Sequence, residues 1–256
     1  SVYKGQKSRN KAASMREKQR KVLANFDKRG FFLTGTYEDC YLPDDEAACW
    51  KDVENYARRV KYATCKRFGV EKEKIRLMLW AARKGEAGRL HMHGFAQCVG
   101  MGEADRREWR EMLEDLWRRR IPGTREFEPL GTMNVDRMDM KKLLGLSGEG
   151  KNGTLGYIYG HSWRRCLETR NLILPEEQRP NDSRWSRKQL HKGCTDCADC
   201  AYWWEQRYPG WECVKVMIYD PGQLHESEDA RPGGWEATEP QAYLILRRRG
   251  FAKACT

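Results

Sequence analysis

Residues 75–98 constrain the fold more than any other stretch. Ile75 to Ala82 (IRLMLWAA) is an apolar, β-prone run, and Leu90 to Cys98 is a second. Between them, Lys84-Gly85-Glu86-Ala87-Gly88 carries turn chemistry, so the two runs read as a hairpin. His91 and His93 stand two apart on its second strand. Strand alternation puts both imidazoles on one face and Leu90 and Met92 on the other. Two of the five histidines in the chain therefore converge on one point. Imidazole is a good ligand for Mn²⁺, Zn²⁺ and similar ions. The alternative is a chance His-x-His on an ordinary strand.

Other elements fall around this hairpin. Phe31 to Tyr37 (FFLTGTY) is a buried-strand pattern. Pro43-Asp44-Asp45 opens a helix whose apolar face is Trp50, Val53, Tyr56, Ala57 and Val60, and Gly69 closes it. Glu103 to Arg120 reads as a charged helix with Trp109, Leu113, Leu116 and Trp117 on one face, stopped by Pro122-Gly123. Phe127 to Val135 reads as a strand, Asp136 to Leu146 as a helix and Ser147 to Gly153 as a loop. Thr154 to Thr169 is a further expected helix; Glu212 to Tyr219 and Ala242 to Arg248 are expected late strands. The order predicts an α+β fold, a central antiparallel sheet with flanking helices. It divides into a basic arm or helix (residues 1–29), a main domain (30–170) and a C-terminal extension packed on that domain (171–256).

The formal charge is +11, which favours a polyanionic partner, either nucleic acid or an acidic membrane surface. No apolar run approaches the roughly 20 residues that span a bilayer, and residues 1–29 have no apolar core of a secretory signal. No membrane role is expected, and the ten cysteines read as reduced thiols of a cytoplasmic protein. Cys194, Cys197 and Cys200, with Cys213 downstream, have thiolate-ligand spacing and could hold a structural Zn²⁺; buried reduced thiols are the alternative. Ten tryptophans are many for this length. Trp163 beside Arg164 and Arg165, and Trp185 between Arg184 and Arg187, have the pairing of aromatic and cation that single-stranded DNA binders use to stack bases. Trp50, Trp80 and Trp109 fit core positions better.

Three segments together resemble the motifs of rolling-circle replication initiators of the HUH endonuclease superfamily. Leu33-Thr34-Gly35-Thr36-Tyr37 resembles their first motif. Gly88-Arg89-Leu90-His91-Met92-His93-Gly94-Phe95 resembles their His-hydrophobic-His motif, and Gly156-Tyr157-Ile158-Tyr159 their tyrosine motif. The order and separations are similar too. Trp185-Ser186-Arg187 and the segment from Trp203 to Gly210 resemble the phage and bacterial group that includes filamentous-phage nicking proteins. The likeness spans roughly residues 30 to 220.

The resemblance implies a ferredoxin/RRM-like core and a metal-assisted tyrosine transesterification that nicks and rejoins single-stranded or hairpin origin DNA. It implies Mg²⁺ or Mn²⁺ on His91 and His93, a 5′-phosphotyrosine link, and a bacterial host whose helicase and polymerase act next. Arg89, Arg164, Arg165, Trp185 and Arg187 become the candidate DNA contacts. The family's tyrosine maps onto Tyr157, although Gly160 stands where its pattern has lysine. Tyr159, the alternative nucleophile, lies about 200° further round a helix. Relatives often carry an acidic third ligand at a position that here is Ala82, leaving Glu86 in the turn or His161, one helical turn after Tyr157, as substitutes. An HUH transposase or relaxase, a non-catalytic basic DNA-binding protein, and an RNA-binding module are the rival readings.

Overall fold

The structure, a computed structural model, describes residues 17–83, 88–143, 153–161, 166–174, 186, 188–189, 200–219, 224–225, 235–236 and 241–249. The chain forms two compact units, Asn25–Ile173 and Ser1–Ala24 with Leu174–Thr256. A helical run, α1, covers residues 17–25.

Asn25–Ile173 is built on a five-stranded sheet. Its strands are β1 (Phe31–Gly35), β2 (Ile75–Arg83), β3 (Leu90–Cys98), β6 (Met133–Arg137) and β7 (Leu167–Glu168), in the order β6-β1-β3-β2-β7. Every neighbouring pair is antiparallel. The expected hairpin is therefore the centre of the sheet, and α2 (Glu46–Phe68) carries the chain from β1 to β2. Asp45 caps α2 by accepting from the Ala48 amide at 2.8 Å, and Gly69 ends it in the left-handed region at φ 63°. Its buried face is Cys49, Val53, Tyr56, Ala57, Val60 and Thr64.

The sheet has two unlike faces. Leu33, Leu77, Leu79, Met92, Ala96 and Val135 point toward α2 and α3 (Glu103–Asp115), and form the main core with Tyr56, Trp109 and Leu113. Even the polar atoms of this core are matched: Trp109 Nε1 donates to Thr64 Oγ1 (2.8 Å) and Tyr56 Oη to the Leu113 carbonyl (3.1 Å). The opposite face carries the histidines and a cluster of aromatics, with Phe95 against Phe26, Phe32 and Trp80 at centroid distances of 5.7, 5.6 and 5.8 Å. The short helix α4 (Met140–Leu143) and α5 (Gly153–His161) pack on one another, and α5 lies against β2.

Four sequence expectations need correction. The helix after Glu103 ends at Asp115 rather than Arg120, because Trp117 turns into the core and Arg118–Arg120 becomes a strand, β4. Phe127 to Val135 is two strands: β5 (Phe127–Pro129) pairs with β4, and β6 follows after Gly131. A Cβ on Gly131 would press on the Thr36 carbonyl, and 2.7 Å from the Glu38 amide, so the break occurs where two backbones meet. Residues 136–137 complete β6, and helix begins only at Met140. The tyrosine helix is described over Gly153–His161, and Leu167–Glu168, expected to lie on it, instead joins the edge of β2. The predicted loop lies outside the described residues except for Gly153, the first residue of α5.

In the other unit, α6 (Cys200–Arg207) precedes β8 (Trp211–Tyr219), which pairs antiparallel with β11 (Gln241–Arg248). Two short strands, β9 (Leu224–His225) and β10 (Trp235–Glu236), pair separately. Trp204 is buried, and Glu205 accepts from the Cys213 amide at 2.9 Å and pairs with Arg249.

Candidate functional site

β3 alternates as its sequence requires, and His91 and His93 project from the same face. Their Nε2 atoms stand 3.1 Å apart. The Nδ1 atoms point elsewhere: that of His91 lies 2.9 Å from the Arg89 carbonyl, and that of His93 lies 3.2 Å from Thr34 Oγ1. A carbonyl can only accept, so His91 Nδ1 carries the hydrogen and Nε2 of the neutral ring carries the lone pair. The Thr34 hydroxyl can accept from His93 in the same way. Phe32 stacks on the His93 ring (5.6 Å, 17°), and His93 is buried.

With both Nδ1 atoms protonated, two Nε2 lone pairs 3.1 Å apart repel unless a cation lies between them; with Thr34 donating to His93 Nδ1, His93 Nε2 donates to His91 Nε2 instead. Ligand nitrogens at about 2.1 Å from one ion, 90–109° apart, are separated by about 3.0–3.4 Å. The pair therefore fits two adjacent ligands of a single divalent ion, with each Nδ1 held by an outer partner, as metal-bound histidines are.

A third ligand is not supplied by the neighbouring strand. Ala82 is paired directly with His91, and Trp80 with His93. Among the described residues, no group of three His, Cys, Asp or Glu side chains could hold a metal ion. Glu86 lies outside the described residues, as does the side chain of His161, whose backbone ends α5.

Tyr157 is brought to the pair. Its ring centroid is 5.9 Å from that of His93 at 73°, edge to face, and the residue is 44 % exposed. Leu155 and Ile158 are buried on the same helix, so α5 is anchored while Tyr157 remains open to solvent. The Tyr159 side chain lies outside the described residues.

The segment from Leu33 to Tyr37 supports this geometry. Thr34 is in register with His93, and Gly35 lets Trp117 and Met133 approach to where a Cβ would meet them at 3.1 and 2.9 Å. Tyr37 is buried and donates to Asp52 (3.2 Å). Burial raises its pKa, so it stays a neutral phenol, and burial likewise pushes the Cys49 thiol up to about 11. Cys49 Sγ in turn lies 3.9 Å from the His91 carbonyl. The partnership of Thr34 with His93 is not legible in the sequence. Strand pairing decides it, and pairing is not written in one strand alone.

Arg89 is exposed, pairs with Asp39 and donates to the Tyr37 carbonyl at 2.9 Å, so part of its donor capacity ties β3 to the segment after β1. Arg164, Arg165, Trp185 and Arg187 lie outside the described residues. So do Cys194, Cys197 and the side chain of Cys200; Cys213 is buried. Set against known proteins, the chain matches no family model, no curated protein and no solved structure.

Proposed function

We propose that the chain is an HUH-type endonuclease and strand transferase that nicks and rejoins single-stranded origin DNA, as an initiator of rolling-circle replication. The observation that carries this reading is the convergence of His91 Nε2, His93 Nε2 and the accessible Tyr157 ring on one face of the central strand. The path of the sheet supports the same reading. β1, α2, β2, β3, α3 and β6 follow in order, and the four strands lie as β6-β1-β3-β2, which is the split β-α-β arrangement of a ferredoxin/RRM-like core.

Bound Mg²⁺ or Mn²⁺ would draw charge from the non-bridging oxygens of a phosphodiester and favour ionisation of a nearby phenol. His91 and His93 would hold it, kept in the ligand tautomer by Arg89 and Thr34. The Tyr157 oxygen attacks phosphorus, and the bond from phosphorus to the 3′ oxygen breaks. The phenol gives up a proton and the departing 3′ oxygen gains one. The 5′ phosphate stays on Tyr157, and the free 3′-hydroxyl is a primer for a host polymerase or the nucleophile that reverses the step. A bacterial cytoplasm, in a phage or plasmid setting, and a host helicase complete the proposal.

The test is incubation with Mn²⁺ and single-stranded oligonucleotides tiling the DNA that flanks the coding sequence, followed by denaturing electrophoresis. A covalent adduct absent from Tyr157→Phe and retained in Tyr159→Phe is the expected result. An adduct lost only in Tyr159→Phe would reassign the nucleophile. The second reading is a basic DNA-binding protein without catalysis. It is favoured by Ala82 standing beside His91, and total absence of adduct with retained DNA binding would select it.

A further inference from the structure

The hairpin between α3 and β6 has two faces with different chemistry. Arg118, Arg119 and Arg120 of β4 pair with Pro129, Glu128 and Phe127 of β5. Alternation puts Arg119 and Glu128 on one face, and Arg118, Arg120, Phe127 and Pro129 on the other. The first face is committed to the fold: Arg119 donates to Glu128 at 2.7 Å and lies 4.4 Å over the Tyr41 ring. On the second face, among the described residues, Arg118 and Arg120 donate through Nε to the backbone carbonyls of Asp115 and Thr124. Among the described residues, no carboxylate pairs with either. Phe127, in register with Arg120, is 46 % exposed. A hairpin that served packing alone would turn this phenyl ring inward and leave the cations out.

The hairpin is rooted where β1 leaves the sheet. The Glu38 amide donates to the Leu130 carbonyl (2.9 Å) and the Thr36 amide to the Thr132 carbonyl (2.8 Å). Gly35 is paired with Met92, between the two histidines, so the hairpin and the histidine pair share one end of the sheet.

We propose that the outer face of this ribbon is a contact for single-stranded DNA, in which Phe127 stacks on a base and Arg118 and Arg120 hold adjacent phosphates. The two arginines are about 7 Å apart along the strand, close to the advance of one nucleotide in an extended single strand. An exposed aromatic flanked by cations is the recurring platform for unpaired bases, whereas a ribbon entering a duplex groove reads edges and has no use for an open phenyl face. The choice of DNA rests on the nicking function proposed above.

The test is fluorescence anisotropy of the full chain with a labelled oligothymidylate, in EDTA so that no cleavage occurs. Phe127→Ala should weaken binding about tenfold and Phe127→Trp should retain it. Arg118→Ala/Arg120→Ala should lower the slope of log K against log salt by about 1.4. Lys51→Ala/Arg58→Ala, which removes equal charge from exposed positions on α2, should change neither. The idea is overturned if the ribbon variants bind as wild type, if the α2 variant loses as much, if a duplex of the same length binds better, or if wild type does not bind oligothymidylate. Melting curves confirm that each variant is folded. An adduct at Tyr157 with unchanged binding by Phe127→Ala would remove the ribbon alone. Ribbon-dependent binding with no adduct would remove the nicking reaction alone.

Discussion

Ala82 is paired with His91 across the two central strands, so a methyl group stands beside the imidazole where a third ligand would complete the shell. Directly opposed side chains on a sheet have Cβ atoms about 5 Å apart. From its Cβ a glutamate reaches about as far as imidazole Nε2 does. Ala82→Glu should therefore tighten Mn²⁺ binding about tenfold, or about 1.4 kcal/mol. It should also lower the melting temperature of the metal-free protein, because Ala82 is fully buried and a lone carboxylate there is poorly solvated. Calorimetric titration with Mn²⁺ reads the first effect and thermal melts with and without Mn²⁺ the second. Unchanged affinity would mean that the two Nε2 atoms do not face a common ion.

The histidine pair itself makes a simpler prediction. At Mn²⁺ one hundred times above its dissociation constant, binding stabilises the folded state by about 2.7 kcal/mol. The wild-type melting temperature should rise accordingly, and the rise should vanish in His91→Ala and in His93→Ala. A rise that survives both substitutions places the ion elsewhere.

Much of this geometry is legible in the amino-acid sequence. Alternation alone puts His91 and His93 on one face, and the Asp45 and Gly69 signals bound α2 within a residue or two. The rest is set by tertiary contacts. Leu116 to Arg120 has helical propensity, yet the chain leaves the helix because the Trp117 indole is buried and its Nε1 donates to the Thr36 carbonyl at 2.8 Å. Sequence pattern places Leu167 and Glu168 on the tyrosine helix. They extend the sheet instead, paired with Leu79 and Met78 on the side of β2 that faces away from β3. The nearness of Tyr157 to His93 depends on how α5 folds back over β2, which its separation along the chain permits but does not fix.

Stability should fall in alkaline solution. Burial pushes the thiols of Cys49 and Cys98 from 9.0 up to about 11, and raises the Tyr37 phenol as well. For an acid whose folded-state pKa is raised, the folded state keeps the proton after the unfolded chain has lost it. The associated stability is thus complete below about pH 9 and declines as pH rises through about 11. Urea titrations between these limits should show the midpoint falling steadily, and Cys49→Ala/Cys98→Ala should flatten the decline. A midpoint independent of pH over this window would contradict the burial of both thiols.

Gly94, between His93 and Phe95, has no room for a side chain. A Cβ there would lie 2.8 Å from the Met78 carbonyl and press on the Leu79 side chain. Leu79 can turn aside, but the Met78 carbonyl belongs to the pairing of β2 with β3. Gly94→Ala should cost about 2–3 kcal/mol of stability by urea denaturation and weaken Mn²⁺ binding at the adjacent histidine. A variant as stable as wild type would show that the two strands are free to separate locally.

Thr34 tests whether the pair is organised for an ion or merely juxtaposed. Its hydroxyl, 3.2 Å from His93 Nδ1, lies across the pairing from the ring that it would hold. Valine has nearly the same shape without the hydroxyl, so Thr34→Val should leave the fold intact while freeing the His93 tautomer. Loss of such an outer hydrogen bond weakens metal binding by about 10–100-fold. Thr34→Ser, which restores the oxygen and not the methyl, should recover most of the Mn²⁺ affinity. A purely packing role predicts the opposite order, with valine near wild type and serine impaired. The ranking of the two variants by Mn²⁺ titration therefore decides between a ligand held for a metal and a buried strand histidine.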